Sequence, residues 1–166
     1  IMMLEPSDSS ECEEYTKRAF ELSEKYDTPV FIRLSTRVSH SQSLVELCDR
    51  EQIALKPYEK NIGKNVMMPA NAIKRHVVVE DRIKTLTEFA ETTDLNRIEK
   101  NGSKIGIITD GIAYMYAKEA LGDRADYLKL GMVYPLPKKK IKDFAANYDK
   151  VYVIEELDPV IEEHCK

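Results

Sequence analysis

DYLKLGMVYPLPKKKIKDFAANYDKVYVIEE, residues 126–156, sets an amphipathic helix between two apolar strands. Tyr127 to Leu130 reads as the first strand, and Tyr134-Pro135-Leu136-Pro137 leads from it into the helix. Pro137 suits a helix's first turn, where a missing N–H costs no hydrogen bond. Ile141, Phe144, Ala145 and Tyr148 recur at helical spacing and predict the buried face. Val151 to Ile154 is the second strand, closing on Glu155-Glu156, and Asp158-Pro159 introduces a last short helix. Upstream, Ile105 to Ile108 predicts another strand. Thr109-Asp110-Gly111 turns it into a helix with Ala113, Ala117, Ala120 and Leu121 inward. Strands alternating with helices predict an α/β fold with an open parallel sheet. Only three strands are laid down before Lys166, so residues 104–166 read as a truncated domain.

The amino-terminal 36 residues form a second unit. Met2 to Leu4 is the end of a strand, and Asp8 with Glu11 makes a capping box for the next helix. Cys12, Tyr15, Ala19, Leu22 and Tyr26 share one face of that helix. Thr28, before Pro29, is pushed out of helical geometry, which ends it. Val30 to Leu34 is then a strand. Two strands cannot make a stable sheet alone, so something beyond this unit has to complete it.

Between the two units, residues 48–103 read as a connector. Lys56 to Asn65 is a polar loop and Val66 to Pro69 a brief extended piece, in which Met67-Met68 reads as packing. Val79, Ile83, Leu86 and Ala90 define one helix across 77–92 that docks the connector, and Asn101-Gly102-Ser103 is a turn.

Composition excludes several classes. Lysine and arginine total 25 against 29 acidic residues, a net charge of -4, which opposes general nucleic-acid binding. No apolar run approaches the roughly 18 residues of a membrane span, and IMMLEPSDSS lacks a basic leader. A soluble, cytoplasmic protein is expected. Three scattered cysteines and three scattered histidines provide no metal-ligand spacing, so no metal site is expected.

Few residues suggest chemistry, and none is assigned a catalytic role. Thr109, Asp110 and Gly111 join a strand's carboxyl end to a helix amino end, where α/β proteins bind anions and nucleotides. A plain tight turn is the alternative, since no phosphate-binding glycine motif is present. Arg33, Arg37 and His40 stand at the exit of the Val30–Leu34 strand. Guanidinium groups there suit a carboxylate substrate and the imidazole a proton transfer. Their alternative is a solvated strand end. Lys138-Lys139-Lys140 reads as a solvated helix face or a patch for an acidic partner. Glu155 and Glu156 point to opposite faces of a strand, which disfavours a paired acid and base.

The strand, Pro-Leu-Pro, helix and strand ending in Glu-Glu resembles the carboxyl-terminal domain of transketolase-like, thiamine-diphosphate-dependent enzymes. Residues 4–47, 66–99, 104–137 and 151–164 together resemble, in order and spacing, the large (alpha) subunit of indolepyruvate ferredoxin oxidoreductase. The resemblance implies three regions. Residues 1–47 would be the tail of a pyrimidine-binding thiamine-diphosphate domain, a strand–helix–strand piece. Residues 48–103 would be an interdomain connector, and 104–166 a truncated, three-layer transketolase-C-like domain. The whole enzyme would oxidatively decarboxylate aryl pyruvates, passing electrons to ferredoxin and the acyl group to coenzyme A. It would use thiamine diphosphate, magnesium and iron–sulfur clusters, and would assemble as an oligomer with a beta subunit.

This chain is expected to bind none of those cofactors and to be inactive alone. The family's magnesium loop begins Gly-Asp-Gly, but here Arg124 follows Gly122-Asp123, which reads as a helix-ending turn. The activating glutamate is expected upstream of Ile1, and the diphosphate loop and cluster cysteines beyond Lys166. Arg37, Ser39 and His40 fall where related enzymes bring the first domain against the cofactor cleft. A non-catalytic α/β interaction module, and another 2-oxoacid ferredoxin oxidoreductase, are the competing readings.

Overall fold

The computed structural model describes residues 1–50 and 52–166; Glu51, within the expected connector, lies outside the described residues. β1 (Met2–Leu4) leads to α1 (Ser9–Tyr26), which starts where Asp8 accepts the Glu11 N–H at 2.8 Å. Glu11 completes the box one residue further back than predicted, accepting from the Ser7 N–H at 2.7 Å. Asp27 ends α1 in the left-handed region, and β2 (Val30–Ile32) pairs parallel with β1. α2 (Thr36–His40) comes directly after it, capped by Ser35.

Residues 41–50 and 52–61 carry no helix or strand, and Leu44, Leu47, Ile53 and Leu55 are exposed along them. After a single turn, α3 (Ile62–Asn65), comes α4 (Pro69–Thr92), longer than the periodicity predicts. Its first turns carry no buried residue, and Pro69 at the start sacrifices no helical bond. Only its second half is inward, with Leu86 and Ala90 fully buried. Burial of a leucine of that kind contributes roughly 1.5–3 kcal/mol. Met67 and Met68, expected to pack, are exposed.

β3 (Asn96–Glu99), β4 (Ile105–Asp110), α5 (Gly111–Leu121), β5 (Asp126–Leu130), β6 (Met132–Tyr134), α6 (Lys138–Ala145), β7 (Lys150–Ile154) and α7 (Val160–Cys165) complete the order. They and β1–β2 build two sheets, β2-β1-β6 and β3-β5-β4-β7. In the larger sheet β5-β4-β7 is parallel as expected, but β3 is antiparallel at the edge, so the sheet is mixed. Asn-Arg-Ile-Glu has one apolar residue, and an edge strand with such a pattern gives no periodicity to read.

Side chains alternate across this sheet. Ile107 and Tyr127 face α5, packing with Tyr114 and Ala117, while Ile108, Leu128 and Leu130 face Leu136, Ile141, Phe144 and Ile161. The result is three layers. Tyr114 takes the inward place on α5 that Ala120, which is exposed, was expected to hold.

The small sheet is completed by β6, antiparallel to β1, with Leu4 opposite Met132. The sequence pattern predicts no separate strand after Leu130. Gly131 makes the difference, because there the chain leaves one sheet and enters the other. Its N–H donates to Leu95 O at 3.0 Å, and its carbonyl accepts from Glu5 N–H at 2.8 Å. A Cβ at Gly131 would collide with the Tyr15 hydroxyl and the Leu95 carbonyl. Asn96 locks the crossing: Oδ1 accepts from the Gly131 and Met132 N–H groups at 3.0 and 2.9 Å, and Nδ2 donates to Ala90 O at 3.0 Å. Met2, Leu4, Tyr15, Leu22, Leu86, Ala90, Leu95 and Met132 form the core between this sheet, α1 and α4. Among the described residues no helix is long and apolar enough to cross a membrane.

Candidate functional site

Two carboxylates meet where the sheets join. Glu5 follows the carboxyl end of β1 and Asp110 ends β4; they are 3% and 4% exposed, and the Glu5 carboxyl lies against Gly111, the residue after Asp110. Arg33, anchored through its N–H to Leu4 O at 2.9 Å, donates to Glu5 Oε1 at 2.9 Å. Gly111 opens α5 at φ 41°, and a Cβ there would sit 2.6 Å from Glu5 Oε1. Glycine therefore serves twice, for its backbone angle and for the room it leaves the carboxylate. Burial, reinforced by repulsion from Glu5 and opposed by Arg33, pushes Asp110 up to about 7. Burial also raises Glu5, against the pull of Arg33. Neither Glu5 Oε2 nor Asp110 Oδ1 has a donor among the described residues.

A second buried cluster lies beside it. Lys129, on the Tyr127 face of β5, is fully buried. Its Nζ donates to Glu11 Oε2 at 2.6 Å, the Tyr15 hydroxyl at 2.9 Å and Glu5 O at 3.4 Å. Arg97 donates to the other Glu11 oxygen at 2.6 Å. Burial alone would raise Glu11, but Lys129, Arg97 and the Ser7 N–H together bring it down to about 2. Lys129 is held below the usual ammonium range, because burial costs it more than Glu11 returns. The pair's net contribution is thus smaller than the Glu11 shift alone suggests.

Of the residues singled out from sequence, Thr109 and Asp110 end β4 on opposite faces and Gly111 opens α5, with Arg33 reaching Glu5 beside Gly111. The group facing that helix end is another carboxylate, Glu5, which the sequence pattern does not single out. Arg37, Ser39 and His40 share α2 and are exposed. Ser39 Oγ donates to Ser35 O at 3.0 Å, while Arg37 and His40 make no ion pair among the described residues. A cleft of about 400 Å³ lies elsewhere, between the end of α4, β3 and α6, lined by Lys100, Lys139, Asp143, Phe144 and Tyr148.

Lys140 is not a solvated residue: it donates to Thr93 O at 3.3 Å and Asn96 O at 2.8 Å. Glu91 receives the Lys139 and Lys140 N–H groups, which offsets the poor fit of lysines to a helix amino end. Glu155 is committed likewise, accepting from the Ile161 and Glu162 N–H groups of α7.

The cofactors implied by the resemblance do not fit these residues. Cys12 is half-buried on α1, and Cys48 and Cys165 are exposed on other segments. Among the described residues no three acidic, histidine or cysteine side chains group to hold a metal. Gly122-Asp123-Arg124 is a short 3₁₀ turn in which Arg124 donates to the Ala120 and Leu121 carbonyls, a cation where the family's magnesium loop is expected to carry glycine.

No protein-family model matches the chain. Sequence relatives are nevertheless clear. The chain is 32% identical over 171 residues to indolepyruvate oxidoreductase subunit IorA of Archaeoglobus fulgidus, covering 100% of this chain and 27% of that subunit. It is 40% identical over 169 residues to the IorA of Methanothermobacter marburgensis, covering 98% and 27%. The 2-oxoglutarate synthase subunit KorA of the same organism is 22% identical over 196 residues, covering 93% of this chain and 52% of that one. A solved 2-oxoglutarate:ferredoxin oxidoreductase from Magnetococcus marinus, with 2-oxoglutarate, coenzyme A and succinyl-CoA bound, matches with a TM-score of 0.55 at 18% identity. That match covers 92% of this chain and 34% of the other, and at such identity it speaks to fold alone. Over its whole length, then, this chain is related to the IorA subunit of indolepyruvate oxidoreductase, and it spans 27% of that subunit.

Proposed function

We propose that the chain is a segment of the large subunit of a thiamine-diphosphate-dependent 2-oxoacid:ferredoxin oxidoreductase. The enzyme oxidatively decarboxylates indolepyruvate and related aryl pyruvates to acyl-CoA. The observation that carries this reading is the whole-length relation to IorA subunits at 32 and 40% identity. The weaker relation to KorA, at 22%, supports a shared 2-oxoacid chemistry and favours the aryl substrate over 2-oxoglutarate. Thiamine diphosphate, magnesium and iron–sulfur clusters belong, on this reading, to other parts of the whole protein. A beta subunit, ferredoxin and coenzyme A are its partners, in an oligomer in the cytoplasm.

The segment's own work is docking and shaping the cleft. Residues 1–47 belong to the pyrimidine-binding domain, 48–103 to a connector and 104–166 to the transketolase-C-like domain. Their junction is braced by Lys129, Glu11 and Arg97. Arg37, Ser39 and His40 are exposed on one short helix, and on this reading they border the cofactor cleft of the whole enzyme, where Arg37 offers a guanidinium to a 2-oxoacid carboxylate. The test uses the full-length subunit with its partner, assayed for CoA-dependent reduction of ferredoxin. Aryl pyruvates should outperform pyruvate and 2-oxoglutarate in kcat/KM, and Arg37→Ala should raise the aryl-pyruvate KM about tenfold or more. A preference for 2-oxoglutarate would overturn the substrate assignment. An unchanged KM would remove α2 from the cleft.

A further inference from the structure

We propose that Glu5 and Asp110 share a single proton and form, with Arg33, a pH-sensitive latch between the two sheets. Glu5 comes from the end of β1 in the small sheet, and its carboxyl lies against Gly111, directly after Asp110 at the end of β4 in the large one. Both are almost wholly buried, and each has one oxygen that no described neighbour satisfies: Glu5 Oε2 and Asp110 Oδ1. Buried carboxylate oxygens without donors are costly. One proton placed between these two satisfies both at once, because a protonated carboxyl donates where a carboxylate accepts.

The charges around the pair agree. Among the described residues Arg33 is the only cation whose side chain bonds a carboxyl oxygen of the pair, through Glu5 Oε1, and it is itself partly solvated. Lys129 acts on Glu5 from β5, but its hydrogen bonds go to Glu11, Tyr15 and the Glu5 carbonyl. Glu155, beyond β7, adds repulsion to Asp110, and Glu156 faces Arg33. One guanidinium thus confronts two buried carboxyl groups with further negative charge behind them, which disfavours double ionisation. A cation bridging the pair is the weaker reading, since no third metal-ligating side chain joins them among the described residues.

Linkage sets the sign of the pH effect. Asp110 titrates at about 7 in the closed fold, against 3.8 ordinarily. The closed contact therefore holds a proton that the open form releases. Its stabilisation is complete below the ordinary carboxylate pKa and is lost as pH rises towards 7. Acid closes the latch.

The test needs no variant to begin. Carboxyl carbon-13 shifts of the intact chain, tracked from pH 3 to 9, should show the pair losing its protons in two separated steps, one near neutrality. Amide hydrogen exchange should show the local opening constant at Glu5 and Gly111 rising about tenfold per pH unit between pH 5 and 7, then levelling. In Asp110→Asn, whose amide imitates the protonated carboxyl, that rise should vanish. Two carboxyls titrating together in the ordinary range would overturn the proposal. So would an opening constant in Asp110→Asn that still climbs as in the parent chain.

Discussion

Replacing Lys129 by methionine isolates the energetic role of the buried cation. Met fills much the same volume, so what is lost is the charge together with the hydrogen bonds to Glu11, the Tyr15 hydroxyl and the Glu5 carbonyl. Removing one partner of a buried ion pair typically costs 3–5 kcal/mol, because the other charge is stranded. Here Glu11 keeps Arg97 at 2.6 Å and the Ser7 N–H at 2.7 Å. The stranding is therefore incomplete, and the loss should fall at the low end, about 3 kcal/mol. For a domain of this size that lowers Tm by roughly 6–12 °C. Urea unfolding monitored by circular dichroism measures it directly. The pH profile supplies a second reading. With its pKa held at about 2, Glu11 contributes stability that is present above its ordinary 4.5 and lost as pH falls towards 2. Without Lys129 the folded pKa lies nearer 4.5, so that acid loss should be smaller and complete at higher pH. A variant within 0.5 kcal/mol of the parent, with an unmoved acid limb, would refute the claim that the ammonium braces the junction; about that much is the scatter expected of a neutral substitution.

Gly131→Ala should cost about 3 kcal/mol or abolish folding, since the new methyl meets the Leu95 carbonyl as well as the Tyr15 hydroxyl; the Tm of the variant reports it. Asn96→Ala strands the Met132 N–H and the Ala90 carbonyl, so a loss of about 2–4 kcal/mol is expected in urea titrations. Calorimetric titration of the chain with thiamine diphosphate and magnesium at micromolar concentration should give no saturable heat, and a magnesium-dependent isotherm would contradict the assignment of those groups to other parts of the protein.

An element is legible in the residues where a neighbour in sequence carries its signal. α1 is readable because Asp8 caps it locally and Tyr15 and Leu22 repeat on one face. The units from β4 to β7 are readable because their strands are short apolar runs with helices between. β6 escapes the pattern because only Gly131 separates it from β5, and its partner is β1 at the far end of the chain. The opening turns of α4 escape it because they carry no buried residue, so no apolar stripe marks them. Lys129 does carry a signal, as a lysine amid Tyr127, Leu128 and Leu130 in a strand buried throughout. Glu5 gives no such hint, since its importance comes from Asp110, which only the meeting of two sheets brings near.

The two carboxylate clusters show why neighbouring acids in one junction come to opposite protonation behaviour. Glu11 is buried deeply enough to disfavour its charge, yet three donors point at it, two of them cationic. Its charge is fully compensated and stays through the whole neutral range. Glu5 has one side-chain donor, Arg33, among the described residues, and its other oxygen is buried without one. Burial is similar, so the count of donors separates the outcomes, fixing one cluster as a brace and leaving the other responsive to protons. Both act on the same few residues, because Glu5 N–H bonds Gly131 and Lys129 bonds the Glu5 carbonyl. The small sheet takes β6 from the later part of the chain and its core takes Leu86 and Ala90 from α4. Residues 1–40 expressed without those elements would retain two strands, too few for a sheet to persist. The small sheet therefore depends on the later part of the chain, and loosening the carboxyl latch weakens a joint that the buried lysine keeps from coming apart.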